Sequence, residues 1–324
     1  MAKLSVEAIL AILIAVIALA LTAAAPGFAS LQNLFDLLNG SAVNMIFALG
    51  LLVVLLIGGI DISFSVGASV VQYVTVTALM AMGGGNWLIG IVLAMAVGCG
   101  LGLFNAALIH GFRVVSIIIT IATFNLYFGL LMVLTGGRSI YAIPDWLDSR
   151  VSILSIETAG GLARLGLPVA VVAIVALATW GLLNRTGFGR QLAGYGSNPE
   201  AATRSGVSGW RVHLFAYGWL GAMAGLAGLM QAHLVREVVP NALYGREFDV
   251  LAATVLGGAM LGGGRGTVIG TLLGVLLLSL VQNGLNLLGV SPYAFQIVVG
   301  AIILIAITGI NFARLRHNLG GEQL

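Results

Sequence analysis

The sequence predicts an all-α integral membrane protein, a polytopic bundle of about ten transmembrane helices, some of them short or broken. Three observations make that prediction. Of the 324 residues, 60% are hydrophobic and only 8% are charged, where soluble domains carry roughly 25% charge. The mean hydropathy is +1.09. Apolar runs recur along the whole chain, each close to the roughly 20 residues that cross a hydrocarbon core. The chain reads as one transmembrane domain over residues 1–324.

The first run, 8–25, follows Lys3 and ends at Ala23-Ala24-Ala25-Pro26. That outline is like a secretory leader, but the run is longer than the roughly 7 to 15 residues of a signal core, so it is read as a retained span. Runs at 41–58, 65–82, 87–110 and 114–135 follow. Residues 136–166 are expected to form an outer loop, in which Pro144, Trp146 and a weakly amphipathic stretch at 151–156 lie along the membrane face. Further runs at 167–184, 212–233, 267–288 and 293–311 bring the count to nine, and the short, glycine-punctuated 249–263 brings it to ten. That short segment is expected to be tilted, broken or re-entrant, which lipid tolerates only where protein covers the backbone. Gly98-x-Gly100-x-Gly102, Gly221-x-x-x-Gly225 and Gly270-x-x-x-Gly274 permit close helix contacts.

Charge gives an orientation. With the N-terminus inside, the inner segments hold nine basic residues (Lys3, Arg113, Arg185, Arg190, Arg204, Arg211, Arg265, Arg314, Arg316) against five outside (Arg138, Arg150, Arg164, Arg236, Arg246). Both termini are therefore expected inside. The net charge of +3 reflects these loops and points to no nucleic-acid partner. Residues 185–211 form the inner polar loop, with an island at Gly194 to Gly206 that has to stay in water. Cys99 is the one cysteine, inside an apolar run, and is assigned to packing.

Ionisable groups inside a span are costly and are functional candidates by default. Only Asp61 qualifies clearly, in Gly58-Gly59-Ile60-Asp61-Ile62-Ser63, where the glycines break the helix and Asp61 and Ser63 are placed to cap the next one. Uncharged polar residues lie along the runs: Asn44, Gln72, Tyr73, Asn105, Asn125, Gln282, Asn283 and Asn286. A proton-driven pump would need several buried carboxylates or histidines, so this pattern suggests a passive conduit for a neutral polar solute. The tentative path comprises Asn44, Asp61, Ser63, Gln72, Asn105, Asn125, Asn283 and Asn286.

Other chemistry is missing from the sequence. A phosphate loop needs a lysine, and Lys3 is the only one. The turn Gly262-Gly263-Gly264-Arg265-Gly266 joins two membrane segments and has no preceding strand. His110, His213, His233 and His317 are far apart in sequence and form no HExxH pair, and no GxSxG elbow occurs. The enzyme reading is weak, and neither a metal nor a cofactor is expected in this chain.

Four blocks in order resemble the membrane permeases of bacterial ABC importers for monosaccharides, the ribose-type family. Gly58-Gly59-Ile60-Asp61-Ile62-Ser63 is similar to that family's GGIDLS signature. Asn198-Pro199-Glu200-Ala201-Ala202-Thr203-Arg204-Ser205-Gly206 is similar to its inner Asn-x-x-Ala-Ala-x-x-Ser-Gly segment. The other two are Glu247 to Thr271 and Gln282 to Val290. One departure is that Phe64-Ser65 intervenes before Val66-Gly67-Ala68-Ser69, where the family passes directly from its Ser to Val-Gly-Ser.

The resemblance implies a bacterial inner-membrane permease that works by alternating access. It implies a second permease subunit, identical or related, a cytoplasmic ABC ATPase that binds the ATP and Mg, and a periplasmic sugar-binding protein. It also implies that a short helix at about Pro199 to Ser205 is a coupling helix, with Asn198, Pro199, Glu200, Ala201, Ala202, Arg204 and Gly206 as its residues. Pro199 suits a first helical turn, Asn198 a cap and Glu200 the positive end, while Ala201 and Ala202 allow close seating. The expected cargo is a simple sugar or sugar-like polyol. A nucleoside, a branched-chain amino acid or a furanosyl signalling molecule stays open, as does a stand-alone secondary transporter.

Overall fold

In the computed structural model, residues 5–158, 161–291, 293, 294, 296–298, 300 and 301 are described. The expected run at 293–311 lies largely outside them. Among the described residues, eight helices are long and apolar enough to cross a membrane: α1 (Val6–Ala24), α2 (Leu31–Leu56), α3 (Phe64–Ala81), α4 (Trp87–Phe112), α5 (Ser116–Thr135), α7 (Leu167–Arg185), α10 (Gly209–Val235) and α12 (Val268–Leu287). Short helices α6 (Asp145–Asp148), α8 (Gly187–Ser197), α9 (Pro199–Arg204) and α11 (Arg246–Leu256) lie between them.

Two expectations are corrected. Helix α2 begins at Leu31, not at 41, because Ser30 accepts from the Asn33 amide and caps it. The polar residues that disguised this first part, Asn33 and Asn39, are consumed by contacts with α12 and the outer loop. The outer loop is not wholly irregular. It carries an antiparallel hairpin, β1 (Ser152–Thr158) and β2 (Gly161–Gly166). Strand β2 packs on α2, where Asn39 donates to the Arg164 carbonyl and accepts from the Gly166 amide (2.9 and 2.8 Å).

Helices α2 and α10 form the centre, 78% buried over their apolar windows, whereas α1 is 6% buried and lies at the edge. They run antiparallel between two ends of the molecule. One end carries α8 and α9, and the other carries the hairpin. Helix α4 packs against α10 with backbones almost touching: a Cβ added at Gly98 would collide with the Gly221 carbonyl, and one at Gly225 with the Ala94 carbonyl. Small residues at this seam let two helices approach as far as sterics allow.

The connection from α2 to α3 leaves α2 at the α9 end and folds back into the bundle. Gly58 turns it at φ 79°, and Phe64 then reaches Phe47, nine positions back along α2, with ring centroids 5.1 Å apart. The short segment anticipated at 249–263 is the half-helix α11, which starts at Arg246 inside the bundle. It runs beside α12 towards the α9 end, where Gly257 meets Gly270. A loop of glycines follows, in which Gly263 and Gly264 lie against the ends of α2 and α8 while Leu261, Gly262 and Arg265 are exposed.

Candidate functional site

The polar island of the sequence forms the end of α8, then α9. Thr186 caps α8 by accepting from Gly189 (2.9 Å). Asn198 stops it and begins α9, its side chain accepting from the Ala201 amide (3.0 Å), with Pro199 in the first turn. Glu200 and Arg204, one turn apart, form an ion pair at 2.7 Å with both side chains more than three-quarters exposed. Gly206 ends the segment at φ 88°. No residue of α9 is buried, so this short helix is held by caps and by its flanks. Its flank is rigid. Gly196 lies against the Leu56 carbonyl, which accepts from the Gly264 amide at 2.8 Å, so α8, the end of α2 and the glycine loop meet backbone to backbone. The same end gathers rings from distant parts of the sequence: His110 lies on Trp210 (4.9 Å) and near His213 (6.1 Å), and Tyr195 lies on His213 (5.6 Å). Among the described residues no group of three metal-ligating side chains forms.

Asp61 is sealed, 2% exposed. One carboxylate oxygen accepts from both the backbone and hydroxyl of Ser63 (2.7 Å each), and the other accepts from the Asn105 amide (3.3 Å). Asn105 also donates to the Ser63 hydroxyl (2.8 Å) and accepts from Tyr127 (3.3 Å). The capping expected of Ser63 is corrected: its side chain caps no α3 amide, because its hydroxyl is committed to Asp61. Ser116 of α5 accepts from the Ile60 amide (2.9 Å), so α3, α4 and α5 are tied to one connection. The space beside this knot is about 20 Å³, room for a water at most.

A polar space of about 470 Å³ lies near the hairpin end, between α2, α11 and α12. It brings together Asn44, Asn283 and Asn286, three of the tentative path residues. Asn283 and Asn33 exchange reciprocal amide hydrogen bonds (3.0 and 2.9 Å). Asp36, Arg246, Asp249 and Gln282 complete the polar wall.

The remaining path residues fall elsewhere. Gln72 is buried in α3 and donates to the Val239 carbonyl (3.1 Å). Asn125 is exposed on α5 and bonds its own helix at Ile121 (2.8 Å). The polar positions thus divide into a knot around Asp61 and a chamber around Asn44.

The count of one buried carboxylate is corrected too. Glu247 is 1% exposed and accepts a short hydrogen bond from Ser65 and another from the Gly245 amide (3.1 Å). Residues 246–249 read as outer-loop charges in the sequence, because α11 is too short to register as a span. The re-entrant reading of that segment was the available signal.

Eight spans, a half-helix closed by a glycine loop, a polar chamber and an exposed capped helix at the opposite end define a multi-pass membrane permease. A family profile described as "Branched-chain amino acid transport system / permease component" matches residues 33–307, and the chain belongs to that family. It is 35% identical to the ribose import permease protein of Escherichia coli (strain K12) over 283 residues, 87% of this chain and 86% of that one. It is 35% identical to the ribose import permease protein of Bacillus subtilis (strain 168) over 284 residues, 87% and 85% respectively. It is 34% identical to the autoinducer 2 import system permease protein of Yersinia enterocolitica over 278 residues, 85% and 74%. No solved structure gives a significant match.

Proposed function

We propose that this chain is the membrane permease subunit of an ATP-driven ABC importer that brings a simple sugar or sugar-like polyol into a bacterium across its inner membrane. The observation that carries the reading is α9: a capped, six-residue helix with no buried residue, set on a backbone junction that reaches α2 and the glycine loop. A helix so exposed yet so firmly seated suits the transmission of a partner's motion. The excess of basic residues on the segments read as inner supports a cytoplasmic α9 and N-terminus. ATP and Mg are bound and hydrolysed in a separate ATPase seated on α9, and a second permease subunit completes the membrane part.

A soluble binding protein delivers cargo at the hairpin end, where the polar chamber receives it. Closure of the ATPase around ATP moves α9, the bundle turns outward, and hydrolysis resets it. The names of the relatives, ribose and autoinducer 2 import permeases, support the cargo class.

Deleting residues 198–206 tests this. The shortened chain is expected to insert in the membrane and to lose co-purification with the ATPase. Retained association would refute the docking role, and uptake by the isolated chain in liposomes without ATP would replace the importer with a secondary transporter.

A further inference from the structure

The chamber near the hairpin end holds two opposite charges, Arg246 and Asp249, close enough to attract each other but not joined in a direct ion pair. Among the described residues, Asp249 takes part in neither a hydrogen bond nor an ion pair, and Arg246 reaches only the Asn44 carbonyl oxygen, at a long 3.5 Å. Both side chains are partly buried within the bundle, where charge is costly, and their mutual attraction leaves most of their hydrogen-bonding capacity unused.

Their backbone is fixed nonetheless. They lie three positions apart at the start of α11, and between them Glu247 is locked inward by Ser65 and the Gly245 amide. The opposite wall is fixed as well, since Asn283 is held by its reciprocal bonds to Asn33. Asp249 also lines the narrow space of about 20 Å³ that continues from the chamber towards the other end of the bundle.

We infer that Arg246 and Asp249 form a recognition subsite in the permease itself, which reads hydroxyl groups on adjacent carbons of a neutral polyol. This rests on the sugar-importer reading above. The carboxylate of Asp249 has two oxygens to accept from neighbouring hydroxyls, and the guanidinium of Arg246 has free N–H groups to donate to their oxygens. Asn44 lies beside both and offers either role. The volume of about 470 Å³ is within the roughly 300 to 1,000 Å³ of small-molecule sites. Amides and charges make up just over half of the lining, with Leu37, Leu285 and Val290 among the rest, so the wall suits a polyol better than a branched aliphatic side chain. The paired opposite charges select a solute that both donates and accepts.

The test uses the full-length chain in lipid nanodiscs, with D-ribose and L-leucine as probes and saturation-transfer NMR as the readout. Wild type and a G100A control, altered where the space around the residue is open, are expected to bind D-ribose and not L-leucine. D249N, which keeps size and shape, and R246Q, which removes the guanidinium but keeps a polar side chain, are expected to weaken D-ribose binding about ten- to hundredfold, the range for losing a hydrogen bond to a charged group. Thermal unfolding of each variant checks that the bundle stays folded. Equal D-ribose binding by wild type and both folded variants overturns the subsite and leaves the sugar reading standing. L-leucine binding in place of D-ribose overturns both, and binding of neither probe overturns the subsite alone.

Discussion

Gly98 of α4 and Gly221 of α10 meet backbone to backbone, each positioned so that a Cβ on one would strike the carbonyl oxygen of the other. Replacing either with alanine therefore presses a methyl group onto main chain, which cannot swing aside as a side chain would. G98A and G221A are expected to lose about 1–3 kcal/mol of stability, measured as a fall in thermal unfolding temperature in detergent. G100A, two residues along with open space around it, is the neutral control. An unchanged melting temperature for G98A would mean the seam is looser than described.

Asn105 bonds Asp61, Ser63 and Tyr127 at once. Removing its amide in N105A leaves one Asp61 oxygen short of a partner in a space too tight for more than a water, while the Tyr127 hydroxyl keeps the Leu101 carbonyl. The expected cost is about 1–3 kcal/mol, and limited proteolysis of the α2 to α3 connection should accelerate. N125A, whose amide bonds only its own exposed helix, should change neither quantity.

Ser65 and Glu247 tie the start of α3 to the start of α11. Because the hydrogen bond is buried and its acceptor is a carboxylate, S65A and E247A should not be additive. A double-mutant cycle by thermal unfolding is expected to return a coupling of about 0.5–3 kcal/mol. A coupling near zero would show the two side chains to be independent.

Asn198 is the cap of α9, and N198A is expected to cost about 1 kcal/mol of local helix stability. Since α9 buries nothing, global unfolding should not move. Hydrogen exchange should rise only for residues 199–205, together with weaker ATPase co-purification.

Gly196 separates docking from transmission. G196A would force a Cβ into the Leu56 carbonyl while leaving every exposed residue of α9 in place. ATPase association is expected to persist and ATP-dependent uptake to fall. Loss of both together would place Gly196 in the docking surface instead.

The uniformly apolar spans were legible in the sequence because lipid-facing and buried positions alike are hydrophobic; α4 and α5 depart from their expected runs by no more than two residues. Polar residues with hidden partners defeated the reading. Asn33 and Asn39 made the first turns of α2 look like a loop, although each is satisfied by a residue more than 100 positions away. Arg246, Glu247 and Asp249 looked like surface charges because an 11-residue helix carries too little apolar length to betray depth. The hairpin at 152–166 was hidden because Ile153, Leu154 and Ile156 fit a weak helical face as well as a strand. In contrast, the cap and first-turn residues of α9 act on their immediate neighbours, so its start could be read from Asn198 and Pro199 alone.

The central position of α2 has a consequence for how the protein is made. Helix α2 ends at residue 56, yet its principal neighbours α10 and α12 start at residues 209 and 268. During synthesis α2 must wait in lipid for most of the chain to emerge before the surface it will bury is covered. Its mean hydropathy of 2.0, against 1.4 for α10, suits that wait, since a helix of this apolarity is stable alone in a bilayer. The late arrival of α10 then closes the bundle by small-residue packing, where lipid supplies no hydrophobic drive. Truncation before residue 209 is thus expected to leave inserted but unassembled helices, a state open to membrane proteases.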